Sequence, residues 1–204
     1  MLSIKADITE ILELAAKLQE HGTKNEIVSV FDDGGYRELL MGKLFGLQLH
    51  KGRHGDDATD SEGHNYELKT VNLVDTSGKL RKNPGVTTCH HVNPIIIQRY
   101  RGLHAWLVGI FFVNEPVEIY ELDPQFVSRT LDTWENRLRD EDITHINNPK
   151  LKFQDIREHG ILHYRNDVLA KKYIEGNLPK GLDVYKDALH LDSSRPSISS
   201  MIKT

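Results

Sequence analysis

The stretch GDDATDSEGHNYELKTVN, residues 55–72, contains the pattern that first indicates the fold. Residues 57–60 (DATD) and 66–72 (YELKTVN) have the composition of strands, and the Ser-Glu-Gly-His sequence between them is typical of a turn. LQLHK, residues 47–51, is predicted as a further strand immediately before them. The three segments therefore predict a meander of antiparallel strands in one sheet.

Three charged side chains of this stretch are predicted to share one face of the sheet. Side chains two apart on a strand point the same way, about 7 Å from each other, so Glu67 and Lys69 are neighbours. The turn folds the strand with Asp57 back alongside, which brings a second carboxylate to that face. Two converging carboxylates repel each other, and Mg²⁺ is a cation that one or two carboxylates commonly hold together with waters and phosphate oxygens.

The lysine completes a site suited to hydrolysis of a phosphodiester. Its ammonium, or its lone pair if the local field lowers its pKa, can orient or deprotonate a water, while the metal stabilises charge on the phosphoryl group. We therefore predict Asp57, Glu67 and Lys69 as catalytic residues, with the two acids as Mg²⁺ ligands. A Glu-x-Lys pattern alone is explained equally well by a salt bridge. With the preceding aspartate it has the form of the PD-(D/E)xK nuclease signature, in which Asp56 takes the place of a proline that does no chemistry.

The rest of the chain predicts a mixed α/β fold. Residues 7–20 carry apolar side chains at helical spacing, and Asn93-Pro94 and Asp123-Pro124 are predicted to begin two more helices. Residues 105–113 form an apolar run typical of a central strand that is covered on both faces, and residues 116–122 are predicted to pair beside it. The predicted architecture is a central mixed β-sheet flanked by helices.

The charge distribution favours a polyanionic partner, although the net charge of −4 does not. The 39 residues from Thr76 to Asn114 contain no Asp or Glu, in a chain with 30 of them. Such a segment indicates a face kept clear for nucleic acid, or, alternatively, a buried strand in its second half that needs no charge. No apolar run is long enough to predict a membrane span, and a single cysteine, Cys89, fits a cytoplasmic protein.

Several polar side chains in and after this segment are candidates for DNA contacts. The imidazoles of His90 and His91 can donate to guanine in the major groove, and the amides of Asn147 and Asn148 can bond adenine. Surface histidines in a loop and an ordinary Asn-Asn-Pro turn are the alternatives. A metal site at Cys89-His90-His91 is disfavoured because neighbouring side chains on an extended chain point apart. Phosphates of flanking DNA are predicted to bind basic residues of a loop at 74–85, namely Lys79, Arg81 and Lys82.

Around these motifs the sequence resembles the PvuII family of type II restriction endonucleases. The resemblance is carried, in order, by DDGG (32–35), GDDATDSEGHNYELKTVN (55–72), TTCHHVNPIIIQRYR (87–101), ITHINNPK (143–150), and EHG and HY between 158 and 164. It implies a restriction-endonuclease-like domain over residues 1–164, with a helical dimerisation region at 1–46 and a catalytic and DNA-recognition core at 47–164. Residues 165–204 are a C-terminal extension of unknown role, which has the composition of a flexible tail.

The resemblance also implies roles that the pattern alone leaves open. The carbonyl oxygen of Leu68 joins the metal ligands, and Tyr100 lies near the scissile phosphate. His90 and His91 match histidines that read the inner G·C pairs, whereas the two asparagines match residues that read adenine. Asp32 matches an aspartate that contacts the site from the minor-groove side.

The chain departs from the family pattern at two further DNA-binding candidates. Thr87 stands where the resemblance has a serine, and Cys89 where it has a third histidine. Both positions concern the outer base pair of the recognition site. A site with central AGCT is therefore expected, with CAGCTG as the first candidate.

The function implied by the resemblance is Mg²⁺-dependent hydrolysis of double-stranded DNA at a palindromic site. A homodimer would cut one strand with each subunit and leave blunt ends, and a cognate DNA methyltransferase would protect the same site in the host. Two other functions stay open. One is a sequence-specific DNA-binding dimer without activity, and the other is a repair or junction nuclease of the same superfamily.

Overall fold

A computed structural model shows the fold of most of the chain. It describes residues 7–27, 29–31, 34–50, 56–75, 78–81 and 85–176, with the backbone alone at 7–12. Two predicted DNA contacts, Asp32 and Lys82, lie outside the described residues, as do residues 177–204 of the C-terminal extension.

One six-stranded mixed sheet forms the centre of the fold. The strands of the described chain are β1 (Gln48–Leu49), β2 (Ala58–Thr59), β3 (Asn65–Asn72), β4 (Gly85–Thr87), β5 (His91–Val92), β6 (Ala105–Phe112), β7 (Glu115–Leu122), β8 (Ile146–Asn147), β9 (Lys150–Lys152) and β10 (Gly160–Arg165). The central sheet has the order β1-β2-β3-β6-β7-β10. Only its β3–β6 pair is parallel, and every residue of β6 is buried. The predicted meander and the predicted central strand are both confirmed.

Helices cover both faces of the central sheet. They are α1 (Asp7–Thr23), α2 (Gly35–Phe45), α3 (Pro94–Arg101), α4 (Pro124–Asp140), α5 (Phe153–His159) and α6 (Asp167–Tyr173). The two predicted helix starts are confirmed, because the side chain of Asn93 accepts from the Ile96 N–H and that of Asp123 accepts from the N–H groups of Gln125 and Phe126. Each cap satisfies backbone donors that the first helical turn leaves unpaired.

The alternation of side chains along β3 separates two apolar clusters. Leu68 joins the cluster of α2, with Met41 and Phe111, whereas Val71 joins the cluster of α3 and α4 on the other face. Glu67, Lys69 and Val71 occupy alternate positions of β3, so their side chains point to the same face of the sheet. Since Val71 packs on the side of α3, the two charged side chains also lie on the α3 face. This placement decides which helix can reach them.

Two small sheets, β4–β9 and β5–β8, were not expected from the sequence, which predicted a loop and turns in these regions. Strands of two or three residues are too short to show an alternating pattern. Their pairing joins the chain before α3 to the chain after α4, with His91 opposite Asn147. The small sheets therefore determine where the predicted base-reading residues meet.

The prediction of a flexible tail from residue 165 onward is wrong for residues 165–176. Leu169, Ala170 and Tyr173 of α6 are buried in the main core, and the ring of Tyr173 stacks on that of Phe112 with 4.1 Å between centroids. Arg165 also pairs with Glu118, whose side chain is fully buried. A helix of two turns gives too short a periodic pattern to be recognised in the sequence.

Tyr173→Ala is expected to lower the free energy of unfolding by about 3 kcal/mol, because it removes a large buried side chain and leaves a cavity. Urea denaturation followed by circular dichroism measures this loss. Lys171→Ala changes an exposed side chain of the same helix and serves as the control. A loss below about 1 kcal/mol would show that α6 is not part of the cooperative core.

Among the described residues, no helix combines the length and apolar character that crossing a lipid bilayer requires.

Candidate active site

The hairpin formed by β2 and β3 fixes the position of Asp57. The backbone N–H of Asp57 donates to the Tyr66 carbonyl at 3.1 Å, and its carboxylate oxygen Oδ2 accepts from the Leu68 N–H at 2.8 Å. Asp60 closes the turn by accepting from the N–H groups of Glu62 and His64. A charge-assisted bond from the backbone therefore holds the Asp57 carboxylate beside the middle of β3.

Glu67, Lys69 and Asp57 converge on one point of the α3 face. The Lys69 Nζ lies 2.5 Å from Glu67 Oε1 and 3.8 Å from Asp57 Oδ2. The Glu67 side chain is only 2% exposed, whereas those of Lys69 and Asp57 are 17% and 33% exposed. Glu67 and Lys69 are two positions apart on β3, and the antiparallel pairing of β2 with β3 brings Asp57 beside them. The three groups therefore lie together, as the sequence predicts.

Burial and neighbouring charges act on both titratable groups of β3. Burial raises the pKa of the Glu67 carboxyl above its ordinary value; the charge of Lys69 opposes the rise and that of Asp57 adds to it. Burial alone would lower the pKa of the Lys69 ammonium, but the charges of Glu67 and Asp57 outweigh it and raise the pKa. Both carboxylates therefore favour the ammonium form of Lys69 in this arrangement.

The two carboxylates and one backbone carbonyl suit a hard divalent cation. Glu67 Oε2 is a buried carboxylate oxygen without a hydrogen-bond partner, which a cation would satisfy. The N–H and C=O of one strand residue point to the same edge, so the Leu68 carbonyl faces the same side as its bond to Asp57. Within the part of the chain that the structure describes, no three His, Cys, Asp or Glu side chains form a metal site, so two carboxylates are the available set.

Arg99 and Asp56 add a second charged pair that the sequence analysis missed. From α3, the Arg99 guanidinium places Nη2 3.9 Å from Glu67 Oε2 and Nε 3.9 Å from Asp56 Oδ1. Asp56 was assigned no chemistry, yet its carboxylate is directed into the site. The sequence signal was present, as an arginine in the acid-free segment and a second aspartate beside Asp57, but the packing of α3 on β3 was needed to connect them.

Tyr100 lies beneath this cluster and is 2% exposed. Its hydroxyl donates to the Thr88 carbonyl at 3.2 Å, and its ring packs edge-on against Trp106 with 4.6 Å between centroids. Burial raises the pKa of the phenol, and the negative charge of Glu67 adds to the rise. Tyr100 is therefore a neutral side chain that supports the segment before β5, and its contact with a phosphate stays a prediction.

Two exposed His–Asn pairs form where β5 meets β8. The Nδ1 of His91 lies 2.8 Å from Asn147 Oδ1, and the Nδ1 of His90 lies 3.0 Å from Asn148 Oδ1. Since an amide oxygen can only accept, each Nδ1–H donates. The four predicted base-reading residues are thus brought together across 56 and 58 positions of the chain.

The remaining predicted DNA contacts within the described residues lie on β4, in the loop after β3 and immediately before β5. Thr87 is exposed on β4, and Lys79 and Arg81 are exposed in the loop after β3. Cys89 is half-buried and its thiol donates to the His91 carbonyl at 3.7 Å, and its contact with DNA stays a prediction.

Residues 3–164 match a family model described as Restriction endonuclease PvuII. The matched region contains both the carboxylate–lysine cluster and the His–Asn pairs, and it ends immediately before the segment that forms α6.

Proposed function

From the premise that this chain belongs to the PvuII family of type II restriction endonucleases, we propose that it hydrolyses double-stranded DNA at a short palindromic site with Mg²⁺ as cofactor. The observation that carries the proposal is the convergence of two carboxylates on one ammonium, with one oxygen of the buried Glu67 carboxylate left without a hydrogen-bond partner. A simple salt bridge to Lys69 would need only one carboxylate, whereas two approach its ammonium here.

Asp57, Glu67 and the Leu68 carbonyl are the residues that would hold the metal ion. When bound, Mg²⁺ supplies Lewis acidity at the phosphoryl group. Lys69 would bind and orient the attacking water on the same face and take or share its proton as the water oxygen bonds to phosphorus. One ester P–O bond breaks, and the leaving oxygen takes a proton from solvent water. Tyr100 keeps the floor of the site rigid and excludes water from beneath Glu67.

The His–Asn pairs are the proposed readers of the DNA sequence. Each asparagine that accepts from a histidine keeps its amide N–H groups and one oxygen lone pair, which match adenine N7 and N6. In this proposal the Nε2–H of each ring donates to guanine, which requires the imidazolium form because Nδ1–H already donates to asparagine. Two subunits related by symmetry read such a half-site twice, which supports a palindrome with central AGCT and CAGCTG as the first candidate. Blunt cleavage at its centre is proposed from the family alone.

A homodimer is supported by apolar side chains exposed in the N-terminal region. Leu14 on α1 is 58% exposed and Phe31, before α2, is 62% exposed. Burial of such side chains favours association of two copies. We place the enzyme in the cytoplasm, where a cognate methyltransferase protects the host DNA at the same site. Lys79 and Arg81 are the described candidates for contacts with flanking phosphates.

Digestion of unmethylated plasmid DNA with Mg²⁺, followed by sequencing of the fragment ends, tests the function, the site and the stagger together. Discrete fragments with blunt ends inside AGCT are expected, and none when the metal is chelated. Preference for branched over linear DNA would instead indicate a junction nuclease. Binding of one linear site without cleavage would indicate a DNA-binding dimer without activity.

A further inference from the structure

We propose that Arg99, held by Asp56, is a second cationic group of the cleavage site, which lies against Glu67 until a metal ion binds and then binds the phosphate that is cut. This inference rests on the proposed Mg²⁺-dependent cleavage and assigns two further residues to the same site. Arg99 is a substrate-binding residue in this proposal, and Asp56 is a positioning residue.

The first observation is a group of buried polar atoms without hydrogen-bond partners. Asp56 Oδ1, Glu67 Oε2 and Arg99 Nε each lack a partner, although the guanidinium lies 3.9 Å from both carboxylates. At 3.9 Å the charges attract, but the distance is too long for a hydrogen bond. Electrostatic attraction therefore holds the Arg99 guanidinium between the two carboxylates, while these three atoms remain able to form hydrogen bonds with a ligand.

The second observation is the balance of charge. Asp56, Asp57 and Glu67 carry three negative charges and Lys69 and Arg99 two positive ones, which leaves one net negative charge. A divalent cation together with one phosphodiester anion brings the cluster to neutrality. A site with Lys69 as its sole cation would keep an additional negative charge close to the phosphate, which would disfavour DNA binding.

The third observation is competition for one oxygen atom. Glu67 Oε1 is occupied by Lys69, so Oε2 is the oxygen that a metal ion would take, and Arg99 Nη2 is its cationic neighbour. A metal ion at Oε2 repels the guanidinium. The Arg99 side chain is 29% exposed, so it can turn outward, and its planar fork of N–H donors suits two phosphate oxygens.

Asp56 determines how strongly Arg99 competes with the metal. Its carboxylate attracts the guanidinium away from Glu67, and it keeps Arg99 at the site once the metal has arrived. Removal of the Asp56 charge leaves Glu67 as the nearest anion to Arg99, whereas removal of the Arg99 charge leaves Glu67 Oε2 free for the metal. The two substitutions should therefore change metal affinity in opposite directions.

Calorimetric titration of Mg²⁺ into the DNA-free protein measures this effect without any cleavage. Arg99→Gln should bind Mg²⁺ about tenfold more tightly than the unchanged protein, and Asp56→Asn more weakly by a similar factor. Arg99→Lys keeps the charge but loses the fork, so its metal affinity should stay near the original while its cleavage rate falls. Arg101→Gln removes the same charge two residues along α3, where Arg101 pairs with Asp132 and Glu135, and should leave metal affinity unchanged.

Each outcome of the titration is decisive. Opposite shifts for Arg99→Gln and Asp56→Asn, with Arg101→Gln unchanged, support the inference. If the unchanged protein binds Mg²⁺ and both variants bind it equally well, the inference is overturned while the proposed function stands. If the unchanged protein and all variants fail to bind Mg²⁺, the metal site itself is overturned, and the inference with it. Thermal unfolding of each variant identifies any loss of folding.

Discussion

Lys69→Ala lowers the single-turnover rate of DNA cleavage by about 10²–10⁴-fold, which is the range for loss of a positioned proton-transfer group. The expected cause is the loss of the amine that orients the attacking water, since Lys69 Nζ is the cation that touches Glu67 and approaches Asp57. Rapid-quench cleavage with enzyme in excess over DNA measures the rate. DNA affinity, measured without metal, should change far less.

Two further variants separate chemistry from folding in this experiment. Lys69→Arg keeps the charge beside buried Glu67 but places a guanidinium, which cannot give up its proton, so cleavage should fall while thermal stability is largely kept. Lys171→Ala removes a lysine on α6 and should leave the rate unchanged. A Lys69→Ala rate within threefold of the original, roughly 0.6 kcal/mol of activation free energy, would remove Lys69 from the catalytic residues.

His91→Ala and Asn147→Ala are expected to cause the second largest effect, a loss of discrimination between the recognition site and sites in which the same base pair is changed in both half-sites. A good base contact contributes about 1–3 kcal/mol of discrimination, and a symmetric dimer loses it twice. The expected loss is therefore about 10²–10⁴-fold in the ratio of the two dissociation constants. Titration of fluorescent duplexes without metal measures this ratio.

The double variant His91→Ala/Asn147→Ala shows whether the two residues contact the bases independently or as one hydrogen-bonded pair. Because His91 Nδ1 donates to Asn147 Oδ1 at 2.8 Å, either substitution disturbs the other residue, and the double variant should be little worse than the single ones. His163→Ala is a matched control, since His163 is a surface histidine that pairs with Glu121 on the edge of the central sheet. Fully additive losses would show that the two residues act independently. Unchanged discrimination would assign base reading to other residues.

Local sequence patterns are sufficient to bring the carboxylates of Asp57 and Glu67 and the ammonium of Lys69 together. Glu67 and Lys69 share a face because strand side chains alternate, and the turn after Asp60 returns Asp57 to the same place. The helix starts at Asn93 and Asp123 follow equally local chemistry, because a side chain caps backbone groups two or three residues away. The mixed sheet with a buried central strand was likewise predictable from the apolar run of β6.

The tertiary structure alone decided which distant residues meet. The His–Asn pairs depend on strands of two residues joined across more than fifty positions, and neither strand has a recognisable pattern of its own. Arg99 reaches Asp56 and Glu67 only because α3 packs over the face of β3 that carries the charged side chains. Residues 167–173 form a helix because one side of it packs against Phe112 and other buried residues of the main core. Periodicity reports how one segment is arranged, whereas contacts between segments follow from which buried surfaces fit together, and that is a property of the whole chain.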